Sequence, residues 1–324
     1  MPSTPKQNEF HHRPALLEEC LNALELRSGS IVVDGTVGGG GHAAAILERS
    51  APDGRLIGLD VDAQAIRASE RRLESFRDRV TLVQQSFRHL EEALARCGVS
   101  VVDGVLLDLG VSSHQLDLPE RGFRFASETA DSTPLDMRMD PEAGATAADL
   151  LSNARPKQLE QWFRDHGDLR GARKLAHAIV EARRESPLRT AADLRAVIAK
   201  AGIGRGRRHD PATLVFQALR VVVNDEVNAL EEGLEAAIRC LRPGGRLVVI
   251  SYHSGEDRIV KNRMRDAVRG CTCPPRTPVC ICGGAVRLRL LNRKPIGASD
   301  AEIRHNPRAR SARMRAAERV AEAS

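Results

Sequence analysis

The chain has 324 residues, 42% hydrophobic, 28% charged and 3% aromatic, a soluble globular composition long enough for two domains that each bury a core. It is too apolar for a disordered chain, and no run approaches the ~18 consecutive apolar residues of a membrane helix. MPSTPKQNEF at the start has no apolar signal core, so a cytoplasmic location is the expectation. The net charge of +6 is unevenly spread: residues 255–324 hold 16 Lys/Arg against 7 Asp/Glu, a net of +9, and the residues before them come to −3. That asymmetry points to a polyanion partner, nucleic acid rather than membrane because no Trp/Phe-rich amphipathic face accompanies it.

In chain order, SIVVD (30–34), RLIGLD (55–60), VTLVQ (80–84) and GVLLDL (104–109) are short, apolar and rich in β-branched residues, as buried parallel strands should be. Segments such as 63–76 lie between them with apolar residues at helical spacing. This β-α-β alternation predicts a doubly wound α/β sheet. The next convincing strand is RLVVIS (246–251), after an RPGG turn at 242–245. A βαβ unit takes about 30 residues, so the chain between these strands contains an insertion. The pattern at 147–201 is helical and Arg-rich, punctuated by Pro156 and Pro187. An inserted helical domain is therefore expected at 116–214, within a sheet domain formed by 1–115 and 215–324. Residues 212–241 read as one long helix returning the chain to the fifth strand.

The strongest local motif is VVDGTVGGGGH (32–42), a strand that ends in Asp34 and runs through glycines into a helix near His42. Glycine permits positive φ and close approach of a ligand, and a helix N-terminus favours an anionic group. Such a loop suits a nucleotide-type cofactor, although a plain strand-to-helix turn would also produce it. Gly38-x-Gly40-x-x-Ala43 formally matches the dinucleotide fingerprint. Asp60, about 20 residues on, can accept hydrogen bonds from ribose hydroxyls, which fits NAD and S-adenosylmethionine equally. Asp34 suits a cofactor with an amino-acid ammonium group, and LRPGGRLVVI (241–250) resembles the segment leading into the fifth strand of Rossmann-like methyltransferases. Phe87, after the third strand, is placed either against an adenine edge or in the core. Asp108 ends the fourth strand, where ligands bind in open α/β sheets. There it can position an amine or take its proton, the structural alternative being a helix N-cap.

Further motifs carry a family resemblance: HRPALLEE (12–19), the DGTVGGGGH loop, LLDLGVSSHQLD (106–117), RGFRF (121–125), PLDMRMD (134–140), ISYHSGEDRIVK (250–261) and NPRARSARMRAAER (306–319). Together they resemble the bacterial small-subunit ribosomal RNA cytosine-N4 methyltransferases, the MraW or RsmH family. The resemblance implies a Rossmann-like class I S-adenosylmethionine-dependent methyltransferase sheet with an inserted helical domain. It further implies transfer of a methyl group to N4 of a cytidine in the decoding region of 16S ribosomal RNA, as naked RNA or as an assembled subunit. Its cofactor contacts fall on Gly40, Gly41, His42, Asp60, Phe87, Asp108 and Gln115. Asp108 is the catalytic candidate, with His253 as a second candidate that could orient the base or its phosphate, or simply cap a helix. The chain departs from the pattern at Thr133, Tyr252 and Gly255, where glycine, phenylalanine and leucine are usual. The alternatives are an NAD-dependent dehydrogenase and a non-catalytic RNA-binding protein on the same fold.

Cys20, Cys97 and Cys240 read as core packing. Cys271, Cys273, Cys280 and Cys282 form two close pairs that suit tetrahedral zinc. Their C-x-C spacing is tighter than the usual C-x2-C, so a Pro-stiffened loop with reduced thiols is the primary reading and zinc the alternative. The region 287–319 has no aromatic residue for base stacking. Arg308, Arg310 and Arg313 are its expected phosphate contacts, positioning RNA without reading sequence. The oligomeric state stays open, a homodimer included.

Overall fold

Apolar runs without alternation become strands buried on both faces. In the computed structural model, which describes residues 14–124, 133–204, 210–270, 273, 279 and 284–321, they form β1 (Ile31–Asp34), β2 (Arg55–Asp60), β3 (Val80–Gln84) and β4 (Val102–Asp108), of which β3 departs from the expectation by lying at the sheet edge with no buried residue. The intervening helices are α2 (Gly41–Arg49), α3 (Ala63–Arg72) and α4 (Leu90–Arg96), with α1 (Leu17–Leu24) ahead of β1. The helix expected at 63–76 ends at Arg72 and tightens into a 3-10 turn, Glu74–Arg79. These elements belong to a unit made of Met1–Gly110 and Glu231–Ser324.

The second unit, Val111–Leu230, is helical. It contains α5 (Ser113–Asp117), α6 (Ala147–Asn153), α7 (Pro156–Asp165), α8 (Ala172–Glu185), α9 (Ala191–Lys200) and α10 (Pro211–Val223). Thr146 and Thr190 close capping boxes at the starts of α6 and α9. Leu151, Leu159, Phe163, Leu175, Leu194 and Leu219 are among the fully buried residues of its core. The unit is wider than the 116–214 expected, because α10 packs on α6, α7 and α9 and buries Val215, Phe216 and Leu219 with them.

One expectation fails here. The single helix read at 212–241 is two, α10 and α11 (Glu226–Cys240), and the unit boundary falls inside α11. At the break, Asp225 adopts a left-handed φ of 49°. The Asn224 amide donates to Met137 O (2.8 Å) and Arg220 O (2.9 Å), while its Oδ1 accepts from Met139 N (2.7 Å). Asn224 thus ends α10 by holding the PLDMRMD segment, and buried Met137 serves packing there. Arg220 bridges the break with a bidentate pair to Glu226, both contacts 2.8 Å.

The chain then forms β5 (Leu241–Ser251), α12 (Ser254–Arg269), β6 (Leu288–Leu290), β7 (Ile296–Gly297), α13 (Asp300–His305) and β8 (Arg313–Arg319). The sheet order is β3-β2-β1-β4-β5-β8-β6, with β7 also on β8; β1 to β5 are parallel and β8 is antiparallel to its neighbours. This is the expected Rossmann-like α/β sheet. The RPGG segment is a bulge rather than a preceding turn: Leu241 pairs with Val102 and Arg246 with Gly104, so the residues between them loop out of β5.

The basic C-terminal region is likewise not a tail. Its last strand lies beside β5, and buried Arg315 makes a two-point ion pair with Asp257 at 2.7 and 3.1 Å. Arg287 pairs with Glu235 and Arg289 with Glu318, so part of the +9 is spent inside the fold. Among the described residues no helix is long and apolar enough to cross a membrane.

Candidate active site

Strand order reverses direction between β1 and β4, and the crevice beyond their C-terminal ends is where ligands sit in such sheets. Asp34, Asp60 and Asp108 are the last residues of β1, β2 and β4. The glycine loop leaves β1 beside them. Gly40 has φ +75°, which a side chain would strain, and a Cβ on Gly41 would stand 2.5 Å from Pro14 Cγ. Asp60 clasps this loop, its Oδ2 accepting from Gly38 N and its Oδ1 from Asp62 N, each at 2.9 Å. From α3, Ser69 Oγ donates to Gly38 O at 2.8 Å. Each Asp60 oxygen keeps a lone pair for a further donor.

Asp108 is fixed by two hydrogen bonds, with a histidine ring beside it. Its backbone N–H donates to Thr36 Oγ1 (2.7 Å), the Tyr252 phenol donates to its Oδ1 (2.9 Å), and His42 Nδ1 stands 3.7 Å from its Oδ2. His42 Nε2 meets the Ala15 carbonyl at 3.1 Å. A carbonyl only accepts, so Nε2 carries the proton and Nδ1 presents a lone pair to Asp108. Burial lowers the His42 pKa, which keeps the ring neutral.

Burial acts on the acids in the opposite sense. It lifts Asp108 to about 7, against the Tyr252 hydrogen bond, although 22% of the side chain opens to the crevice. Asp34, 1% exposed, rises to about 6, restrained by the Thr36 N–H. Asp60 also rises to about 6, restrained by the N–H groups of Asp62 and Gly38. Among the described residues no Lys or Arg pairs with any of the three. This donor set fits a ligand bringing positive charge and hydroxyl donors. S-adenosylmethionine has both, its ammonium suiting Asp34 and its ribose hydroxyls suiting Asp60.

Phe87 is half-buried after β3, packed so closely on Gly233 of α11 that a Cβ there would come 2.3 Å from its ring. Gln115 lies in the helical unit, where its Oε1 accepts from Ser112 N at 2.9 Å. His253 is the N-cap of α12, its Nδ1 accepting from Glu256 N at 3.3 Å; Nε2 lies 3.0 Å from Glu256 Oε1 without hydrogen-bond alignment. Arg308 and Arg310 are exposed on the 3-10 turn Pro307–Ser311, and Arg313 is exposed at the start of β8. Of the cysteine cluster only Cys273 is described; Cys271, Cys280 and Cys282 lie outside the described residues, so no metal site is assigned to them.

Two groups escaped the sequence reading, Thr36 and the Tyr252 hydroxyl. Tyr252 is the only tyrosine in the chain and immediately follows β5, a signal available from the sequence. Its partner 144 positions away was not.

Known proteins are similar to this chain over nearly its whole length. Ribosomal RNA small subunit methyltransferase H of Symbiobacterium thermophilum is 51% identical over 310 residues, 95% of this chain and 96% of that protein. The protein of the same name from Heliobacterium modesticaldum is 49% identical over 315 residues, 96% and 99% of the two chains. That from Syntrophus aciditrophicus is 47% identical over 318 residues, 98% and 100%. With residues 9–320 matching the family as well, the chain belongs to the MraW methylase family.

Proposed function

We propose that the protein transfers a methyl group from S-adenosylmethionine to N4 of a cytidine in the decoding region of small-subunit ribosomal RNA, in the cytoplasm. Membership of a methylase family leaves no place for the dehydrogenase alternative. The observation that carries the reading is Asp108: a carboxylate at the ligand end of β4, oriented by Tyr252 and Thr36, with a pKa of about 7. That value suits a group that must accept a proton near neutral pH.

The cytosine N4 lone pair is delocalised into the ring, so the amine must be turned and held before it attacks. Asp108 accepts an N–H hydrogen bond, which localises the lone pair on nitrogen and directs it along the line of transfer. The cofactor, when bound, supplies an electrophilic methyl group. As the N–CH3 bond forms, the nitrogen becomes cationic, and Asp108 takes the proton it then loses. His42 stays neutral and leaves Asp108 as the acceptor. Asp34 and Asp60, with the Gly38–Gly41 loop, hold the donor in place. No cysteine adduct is required, because an exocyclic amine is itself a nucleophile. The base is presented outside its stack, the helical unit 111–230 serves substrate recognition, and Arg308, Arg310 and Arg313 contact RNA phosphate.

The test is transfer of labelled methyl from S-adenosylmethionine to small subunits lacking the modification, followed by nucleoside mass mapping. N4-methylcytidine at one decoding-region position is the expected product. Cofactor binding without transfer would favour the non-catalytic alternative instead.

A further inference from the structure

A cavity of about 390 Å3 opens beside the crevice, in the sheet-bearing unit. Tyr252, His253, Ser254, Arg310, Ser311 and Arg313 line it from the end of β5, the start of α12, the Pro307–Ser311 turn and the start of β8. Among the described residues its lining includes two guanidinium groups and no carboxylate. Asp257 Oδ2 stands 3.8 Å from Arg313, but Asp257 is already engaged at two points by Arg315, and the Glu256 carboxylate is taken up by the Tyr252 and His253 amides; among the described residues Arg310 has no ion-pair partner. The Ser254 and Ser311 hydroxyls add hydrogen-bond capacity. Ser254 also opens α12, a 16-residue helix whose first amides lack intrahelical acceptors. Tyr252 is the partition: it lines the cavity, and its hydroxyl bonds Asp108. An anion held here is therefore one side chain away from the proposed amine acceptor.

We infer that this cavity is a phosphate subsite, in which Arg310 and Arg313 hold a backbone phosphate of the RNA strand next to the target nucleotide. The inference rests on the proposed RNA substrate. It divides the three expected arginines into two groups, since Arg308 does not line the cavity. Two guanidinium groups recognise the tetrahedral oxygens of a phosphodiester by charge-assisted hydrogen bonds, and the fixed distance to Asp108 turns phosphate binding into placement of the base.

The test uses the full chain loaded with S-adenosylhomocysteine and three probes: cytidine, cytidine 3′,5′-bisphosphate and inorganic phosphate. The wild-type protein is expected to bind the bisphosphate at least about tenfold more tightly than cytidine or inorganic phosphate. In the double variant Arg310→Gln, Arg313→Gln the preference over cytidine falls to within about twofold, with S-adenosylhomocysteine affinity unchanged as the control for folding. Arg242→Ala, at the opposite end of the sheet, keeps the preference. A bisphosphate that binds no tighter than cytidine, or a preference that survives in the double variant, overturns the subsite. Equal binding of inorganic phosphate overturns its assignment to an RNA strand. Methyl transfer to unmodified subunits, measured in parallel, separates the two readings. Transfer without the preference removes the subsite and leaves the function; the preference without transfer removes the function and leaves an anion site.

Discussion

The two ends of the sheet carry the same kinds of side chain and treat them differently. Where the parallel strands begin, Asp103 pairs with Arg242, and Arg246 pairs with both Glu25 and Glu318. A cavity of about 430 Å3 lies among these groups, larger than the one beside the crevice. Where the strands end, Asp34, Asp60 and Asp108 meet backbone donors, a phenol and a neutral imidazole, and their pKa values rise. Cavity size does not mark the working end. What marks it is carboxylates enclosed without a counter-charge, an arrangement that costs stability until a ligand supplies the missing charge.

The contrast can be broken most directly at Asp108. Asp108→Asn keeps the shape and removes the proton acceptor, so methyl transfer should fall by roughly 10²- to 10⁴-fold. Transfer near the wild-type rate would show that Asp108 only supports the strand end. The opposite behaviour is expected of a compensated charge. Asp257→Asn leaves the Arg315 guanidinium buried without its partner, which should cost about 3–5 kcal/mol in chemical denaturation.

Titration sharpens the comparison next. In the folded chain Asp34, Asp60 and Asp108 keep protons up to about pH 6 to 7, whereas unfolded they release them near the ordinary aspartate value of 3.8. The ligand-free protein should therefore lose stability as pH rises from about 4 to about 7. Since a cationic ligand favours the ionised acids, the thermal stabilisation by S-adenosylmethionine should be larger at about pH 8 than at about pH 5.5. Equal shifts at both pH values would mean that these acids do not meet the ligand's charge.

A smaller effect should come from Tyr252→Phe. Its hydroxyl stabilises ionised Asp108, so the variant's acid limb should move about one unit to higher pH, with transfer at neutral pH down about fivefold and recovered in alkali. A uniform loss across the pH range would make Tyr252 a packing residue. The smallest change is expected at the opposite end of the sheet. Arg242→Ala opens a half-exposed ion pair and should alter stability by less than about 1 kcal/mol, with methyl transfer unchanged.

The chemistry became visible in the sequence wherever it depended on neighbours along the chain. The glycine loop and Asp34 are contiguous, and the acids at 34, 60 and 108 stand at the ends of apolar runs, because a strand buried on both faces has no polar alternation to blur its limits. Asn224 defeated the helix reading, since helical periodicity runs through 212–241 and the break depends on a loop 85 positions earlier. RMRAAER reads as basic surface for the same kind of reason. Arg315 can be buried only because Asp257, 58 positions before it, supplies the counter-charge.

By itself, then, the sequence determined the α/β alternation, the presence of an insertion, the glycine loop and the acids that follow the strands, all consequences of local burial pattern and backbone freedom. Tertiary structure alone decided which charges are paired. It joined Tyr252 to Asp108, took Arg315 into the sheet, and brought Arg310 and Arg313 to one cavity. A charge acquires its role from the partners and solvent around it in space, and periodicity along the chain does not encode them.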